Sequence, residues 1–410
     1  MNQIETDCCV AGGGPAGMML GFLLARAGVD VVVLEKHADF LRDFRGDTVH
    51  PSTLDVIGEL GLLDEFLTRP HQEVRELTGV ISGTPVTVAD FSHLGARCPF
   101  VVLMPQWDFL DFLAEHGRRY PTFRVLMQAE VTDLVEEGGT VAGVRATTPA
   151  GPLEVRAHLV VGADGRHSIV RQRAGFVVDD FGAPIDVLWM RLPRHPDDVG
   201  AVLGRFDAGH ILVMLDRGDY WQCAYVIAKG GFDDLKQRGI GTLREGIVKA
   251  APMLHDRIDA LRNWDDVKLL TVTVDRLRAW HRPGLLCLGD AAHAMSPIGG
   301  VGINLAIQDA VAAANILTAP LRGGAPTDAD LARVQRRRML PIRLTQAMQV
   351  FVQNRIIRGV LGSTKPFRLP WPLRLLQRFP YLRRIPARVV GVGFRPEHVH
   401  TPEASPPSAA

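Results

Sequence analysis

Three short clusters of glycine and carboxylate carry the chemistry of this sequence. The first is Gly12-x-Gly14-x-x-Gly17, answered by Glu35. It follows an apolar strand over residues 5–11, opens a helix over Met18–Ala27 that Gly28 closes, and leads to the β-branched run Val29–Leu34. A βαβ unit of this kind grips a dinucleotide. Gly12 permits the tight turn, Gly14 lets a pyrophosphate reach backbone amides at the helix N-terminus, and Gly17 lets helix and strand pack closely. Pro15 and Ala16 lie in the same loop. Glu35 suits the ribose hydroxyls, and Lys36 beside it leaves the choice among NAD, NADP and FAD open. The second cluster, Asp164-Gly165, ends a buried strand over 158–161. The third, Gly289-Asp290, ends another over 285–288. After it, Pro297-Ile298-Gly299-Gly300-Val301-Gly302-Ile303-Asn304 opens a helix over Gly302–Leu317.

These clusters need a parallel sheet that brings several strand ends to one edge. With 410 residues, 47% of them hydrophobic, the chain is long enough for two or three structural units. With 22% charged residues and a net charge of +1, it reads as globular, with no general attraction to nucleic acid. No signal peptide is visible. Five scattered cysteines without a CxxC pair argue against a disulfide framework or zinc site and for a reducing cytoplasm. A small antiparallel meander is expected from Arg124–Leu126, Glu130–Val135, Thr140–Thr147 and Leu153–Val155. Long alternating segments between 185 and 227 predict a separate antiparallel sheet.

With all three clusters in order, residues 1–325 resemble the flavoprotein monooxygenases of the para-hydroxybenzoate hydroxylase type, the single-component group A enzymes. The resemblance implies an α/β fold: a Rossmann-like FAD-binding domain with a parallel sheet (1–73, 98–180 and 275–325) and an antiparallel-sheet substrate domain (74–97 and 181–274). A basic C-terminal helical region (326–396) and a disordered tail (397–410) complete the chain.

It also implies FAD as cofactor, NADH or NADPH as transient reductant, and O2 captured at flavin C4a as a hydroperoxide that hydroxylates an aromatic or polyketide-like small molecule. By the same resemblance, Asp290 takes a ribityl hydroxyl, with Gly289 allowing close approach. The amides from Gly299 to Asn304 face the pyrimidine end of the flavin, and Pro297 packs beside its reactive edge. Asp164 lies by the pyrophosphate, Arg45 on the nicotinamide route, Gln106 by phosphate or ribityl oxygens, and Val131 by the adenine. Val301 departs from the usual Gln or Glu of this loop. Alternatives are an FAD-dependent reductase of an isoprenoid or other unsaturated lipid and a non-catalytic flavin-binding protein.

Substrate contacts are expected from the 185–227 sheet: Trp189, Arg191, His210, Met214, Tyr220 and Trp221, with no catalytic base or metal ligand singled out. Residues 331–396 hold fifteen Lys and Arg and no Asp or Glu, leaving the rest at net −14. The segment reads either as a cap neutralised by the acidic body or as a basic amphipathic surface for peripheral membrane contact. A homodimer contact is a third reading.

Overall fold

The computed structural model describes residues 2–41, 48–198, 203–363, 365 and 369–404. Its main sheet has eight strands. Five run parallel in the spatial order Leu285–Cys287, Gly151–Gly162, Asn2–Ala11, Val31–Glu35, Phe123–Met127. Register is set by near-continuous apolar pairs such as Cys9 with Val160 and Val32, and Val161 with Leu286. Continuous rather than alternating hydrophobicity follows because both faces are covered. The first helix, Pro15–Arg26, has its proline in the opening turn, and Gly28 leaves it at φ 82°. It packs against the long Gly302–Arg322 helix. That helix is apolar and long enough to cross a membrane, but 67% of the window concerned is buried inside the protein.

Two local expectations change. Arg124–Leu126 belongs not to the meander but to the edge parallel strand Phe123–Met127 beside Val31–Glu35. Leu153–Val155 and 158–161 are one twelve-residue strand, Gly151–Gly162, which runs parallel to Asn2–Ala11 along nearly its whole length, its first half pairing also with Thr140–Thr148 and its end with Leu285–Cys287.

A second sheet has seven strands in the order Lys268–Leu270, Ile185–Pro193, Tyr220–Ala228, His210–Asp216, Leu203–Asp207, Glu76–Ile81, Thr84–Asp90. One face packs on the Phe232–Arg238 and Ile240–Ala250 helices through Leu188, Trp221, Leu243 and Ile247. The other carries Val187, Ala224 and Val226, against which Ile298 of the glycine loop packs.

The tail corrects the expectation of disorder over 397–404. Glu397 and Thr401 are buried, Arg337 and Arg338 pair with Glu397, and Arg26 pairs with Glu403. His398 and the Val399 amide meet Glu59, and the Ala404 amide donates to the Arg26 carbonyl. Charged partners 59 to 377 residues upstream order a segment whose composition reads as flexible. The remaining tail residues, 405–410, lie outside the described residues.

Candidate active site

The parallel strands end where the three clusters lie, and glycine lets the strand ends touch. Gly12 has φ +110°, and a Cβ on it would stand 2.4 Å from the Ala163 carbonyl oxygen. The Ala163 amide donates to the Ala11 carbonyl at 2.8 Å, so the first and second clusters are pressed backbone to backbone. A Cβ on Gly17 would lie 2.0 Å from the Gly12 oxygen. Gly289, at φ +57°, has its missing Cβ 3.2 Å from Ala16 and 3.3 Å from Ala306, which brings the third cluster onto the first helix. Arg166, just past Asp164-Gly165, reaches Asp290 Oδ2 at 3.3 Å and joins the second cluster to the third.

Within this cradle some space is open. A Cβ on Gly14, which precedes Pro15 at the start of the first helix, would meet nothing within 4 Å, and the same holds for Gly302. Both sit at helix N-termini, where free amides and the helix dipole favour negative charge. Glu35 is buried; its Oε2 accepts from the Gly13 amide at 2.9 Å and its Oε1 from the His37 amide at 3.0 Å. Lys36 is exposed. The Ala129 amide donates to the Glu35 carbonyl at 2.8 Å, which seats Val131 nearby in a buried position.

Asp164 Oδ2 accepts from the Val170 amide at 3.2 Å, while its buried Oδ1 has no partner among the described residues. Burial pushes this carboxyl up from its ordinary value, against the Val170 hydrogen bond. An orphaned acceptor beside an open glycine loop fits a hydroxyl-rich, phosphate-bearing ligand. Gln106 stands half-buried in the first turn of the Gln106–Gly117 helix. Arg45 lies outside the described residues.

The glycine loop is held from behind. Pro297 precedes a turn in which Gly299 (φ 79°) and Gly300 (φ 62°) are left-handed, and Val301 is buried in the core. Its side chain packs in the core within 3.6 Å of where a Cβ on Gly299 would stand, so it supplies no polar group to the loop. The first helical donor after the loop is the Leu305 amide, to the Val301 oxygen at 3.0 Å, so the Gly302, Ile303 and Asn304 amides precede the ladder. The Asn304 side chain is used internally. Its Oδ1 accepts from the His50 amide (2.8 Å) and Thr53 hydroxyl (2.7 Å), and its Nδ2 donates to the Thr48 carbonyl (3.2 Å). Thr48 in turn donates to the Gly300 carbonyl at 2.8 Å.

Several supporting residues have no local sequence signature. Gln349 accepts from the Ser296 amide (3.1 Å) and donates to the Ser296 (2.9 Å) and Ile298 (3.0 Å) carbonyls. Gln353 donates to Ser296 Oγ at 2.6 Å, and Gln346 to the Asp275 and Ala294 carbonyls. The spacing 346, 349, 353 on one helix face is the signal that could have revealed them. Behind Gly289, buried Asp309 accepts from the Gly289 amide (3.2 Å), meets His293 Nε2 at 2.5 Å and pairs with Arg338 at 2.8 Å. Burial alone would raise the Asp309 carboxyl, yet His293 and Arg338 hold it below its ordinary value. Burial pushes His50 down to about 4, and its Nδ1 lies 2.7 Å from the Val390 carbonyl. His50 and His293 thus both pin structure.

Gln349→Leu is expected to leave three backbone groups unpaired, two of them buried and each of those two costing roughly 1–3 kcal/mol. A loosened loop should weaken FAD binding by about tenfold or more, read by flavin fluorescence titration of the deflavinated protein.

The substrate-sheet candidates divide by face. Trp189 and Ile298 of the glycine loop both pack against the apolar cluster of Val187, Ala224 and Val226, and Arg191, on the same strand parity as Trp189, lies over the half-buried Tyr220 ring at 5.0 Å. His210, Met214 and Trp221 are on the opposite face, a correction to the expected grouping. Trp221 and Met214 are fully buried in the helix-covered core, and Trp221 donates to Asp198 at 2.9 Å. His210 lies 2.6 Å from the Tyr225 hydroxyl, under the Ile240–Ala250 helix. Side chains of opposite parity cannot share a sheet face.

Residues 5–347 match the family described as FAD binding domain. The 6-methylpretetramide 4-monooxygenase of Streptomyces rimosus is 35% identical over 387 residues, covering 94% of this chain and 92% of that protein. The chain belongs to the FAD-dependent monooxygenases of the para-hydroxybenzoate hydroxylase type. The para-nitrophenol 4-monooxygenase of Pseudomonas sp. (strain WBC-3) is 26% identical over 332 residues, covering 78% of this monooxygenase and 79% of that one. The crystal structure of p-nitrophenol 4-monooxygenase from Pseudomonas putida DLL-E4 shares the fold, with a TM-score of 0.74 at 21% identity over 95% of this chain and 96% of that one. The monooxygenase is an oxidoreductase with FAD as cofactor and NAD(P)H as reductant. The reductase and non-catalytic readings give way to this assignment.

Proposed function

We propose that this monooxygenase hydroxylates an aromatic, polyketide-type polycyclic phenol. The observation that carries the reading is the contact between the apolar sheet face and the flavin-side loop: Trp189 and Ala224 cluster with Ile298, next to the glycine turn. A broad apolar wall with an aromatic ring suits a flat, fused-ring substrate. The likeness to an enzyme named for 6-methylpretetramide supports the same class.

In this proposal Gly12, Gly14, Pro15, Ala16 and Gly17 hold the pyrophosphate, Glu35 and Lys36 lie by the adenosine ribose, and Val131 lies by the adenine. Asp164, Gly289, Asp290 and Gln106 serve the ribityl and phosphate oxygens. Pro297 and the amides of Gly299, Gly300, Val301, Gly302, Ile303 and Asn304 serve the isoalloxazine, and Arg45 the nicotinamide route. FAD, when bound, supplies hydride acceptance and oxygen activation. The chain's own part is to bind, orient and exclude water. Amides at the start of the Gly302–Arg322 helix favour negative charge at the ring edge they face. Trp189, Arg191 and Tyr220 position the substrate. A cytoplasmic setting belongs to the same proposal, supported by five free, buried cysteines.

The test is a screen of monocyclic and fused polycyclic phenols for stimulation of NAD(P)H oxidation. Polycyclic compounds should stimulate most. Trp189→Ala should raise KM for them by about tenfold, as loss of an aromatic contact does, with flavin content unchanged. Stimulation by monocyclic phenols alone would contradict the substrate class.

A further inference from the structure

The C-terminal region contains two kinds of arginine. Arg337 and Arg338 pair with Glu397, and Arg338 also pairs with Asp309. These belong to the body of the protein. Arg374, Arg378, Arg383, Arg384 and Arg388 do not: among the described residues none of the five has a carboxylate partner. Arg383 and Arg384 reach only the Leu376 and Tyr381 carbonyls and the Gln377 amide oxygen. Among the described residues, no carboxylate of the acidic body forms an ion pair with these five.

The same segment exposes large apolar side chains. Trp371 is 69% exposed, Tyr381 and Ile385 are each 59% exposed, and Leu375 and Phe379 are exposed too. On the Trp371–Arg378 helix, positions 371, 374, 375 and 378 fall on one face at helical spacing. On Arg384–Gly391, the exposed positions are 384, 385 and 388. The Phe379 and Tyr381 rings meet at 6.1 Å between the helices, and Arg378 lies over Phe379.

The inner faces are anchored. Gln377 donates to the Thr87 carbonyl at 2.8 Å, Ala387 is fully buried, and Gly391 sits so close to Phe91 that a Cβ would meet its ring at 3.1 Å. Two short amphipathic helices are thus fixed on the edge strand Thr84–Asp90 with their aromatic and arginine side chains outward.

We propose that this face docks the enzyme on an anionic lipid surface. Charge complementarity selects the occupant: five arginines of one sign, with no acidic residue from 331 to 396, match many interchangeable phosphates better than fixed acid–base pairs. Tryptophan and tyrosine favour the interfacial layer of a bilayer, and arginine stems cover apolar surface while the guanidinium stays wet. The inference is independent of the substrate class proposed above.

The experiment is co-sedimentation of the FAD-loaded enzyme with vesicles of phosphatidylcholine alone and of an equimolar phosphatidylcholine–phosphatidylglycerol mixture. Binding to the mixed vesicles should exceed binding to phosphatidylcholine by on the order of tenfold or more and fall as salt is raised. The combined variant Arg374→Gln, Arg378→Gln, Arg384→Gln, Arg388→Gln should lose that excess. A second variant, Trp371→Ser with Phe379→Ser, should weaken binding to the mixed vesicles while keeping its salt dependence. Both should keep wild-type flavin content and NAD(P)H oxidation, which reports that they fold. Equal sedimentation with the two vesicle types overturns the proposal. If, in that case, the wild type is a dimer in solution and the arginine variant a monomer, the face is a subunit contact instead.

Discussion

Gly12→Ala is expected to purify colourless, with flavin occupancy below about a tenth of the wild type. Backbone held at φ +110° costs a non-glycine residue on the order of 1–3 kcal/mol. The new methyl would also lie 2.4 Å from the Ala163 oxygen, 2.6 Å from its carbonyl carbon and 2.8 Å from the Asp164 Cα. These are backbone atoms, so no rotamer change relieves the clash, and the first and second clusters must separate. Gly14→Ala is the control. Gly14 has φ −78°, ordinary for alanine, and open space around its missing Cβ. That variant should match the wild-type apoprotein in thermal unfolding but bind FAD more weakly, because its methyl enters only space that a phosphate needs. The visible flavin absorbance relative to protein absorbance, with a melting curve on each apoprotein, separates the two effects.

Arg338→Met removes the cation between two buried carboxylates, Asp309 and Glu397. Breaking a buried ion pair from one side costs about 3–5 kcal/mol, so a marked fall in the unfolding midpoint is expected. Asp309 also accepts from the Gly289 amide, so flavin retention should fall with it. The pH dependence has a definite sign. The Asp309 carboxyl is depressed in the folded protein, so its stabilisation is complete above its unfolded value, about 4, and is lost as pH falls through the lower folded value. The difference in stability between wild type and Arg338→Met should therefore be largest near neutrality and shrink below about pH 4. Urea unfolding at several pH values measures it; a difference independent of pH would contradict the ion-pair account.

The parts of the site that read directly from sequence are those made by local signals. Glycine at a strand end and an acid close by mark a close backbone approach whatever the rest of the fold does, which is why Gly12, Asp164 and Gly289-Asp290 stand out. Facing is a different matter. Trp189 and Trp221 both lie on alternating strands, but which parity meets the glycine loop depends on which face the Ile240–Ala250 helix covers, a tertiary choice. The tail misleads for a similar reason. Its proline and serine content suggests disorder, while Glu397, His398 and Glu403 find partners at Arg338, Glu59 and Arg26 that no local window contains. Gln349 and Gln353 escape a sequence reading because glutamines on a basic helix look solvent-facing; both are fully buried. The fifteen basic residues of 331–396 look uniform in sequence, but only some of them face acidic groups.

Turnover of a fused-ring phenol under 18O2, with the product analysed by mass spectrometry, tests the central claim most directly. The account predicts one oxygen atom derived from 18O2 in the product, formed only when NAD(P)H and the FAD-loaded enzyme are both present. A product formed without oxygen from 18O2, or NAD(P)H consumption that no aromatic compound stimulates, would contradict it.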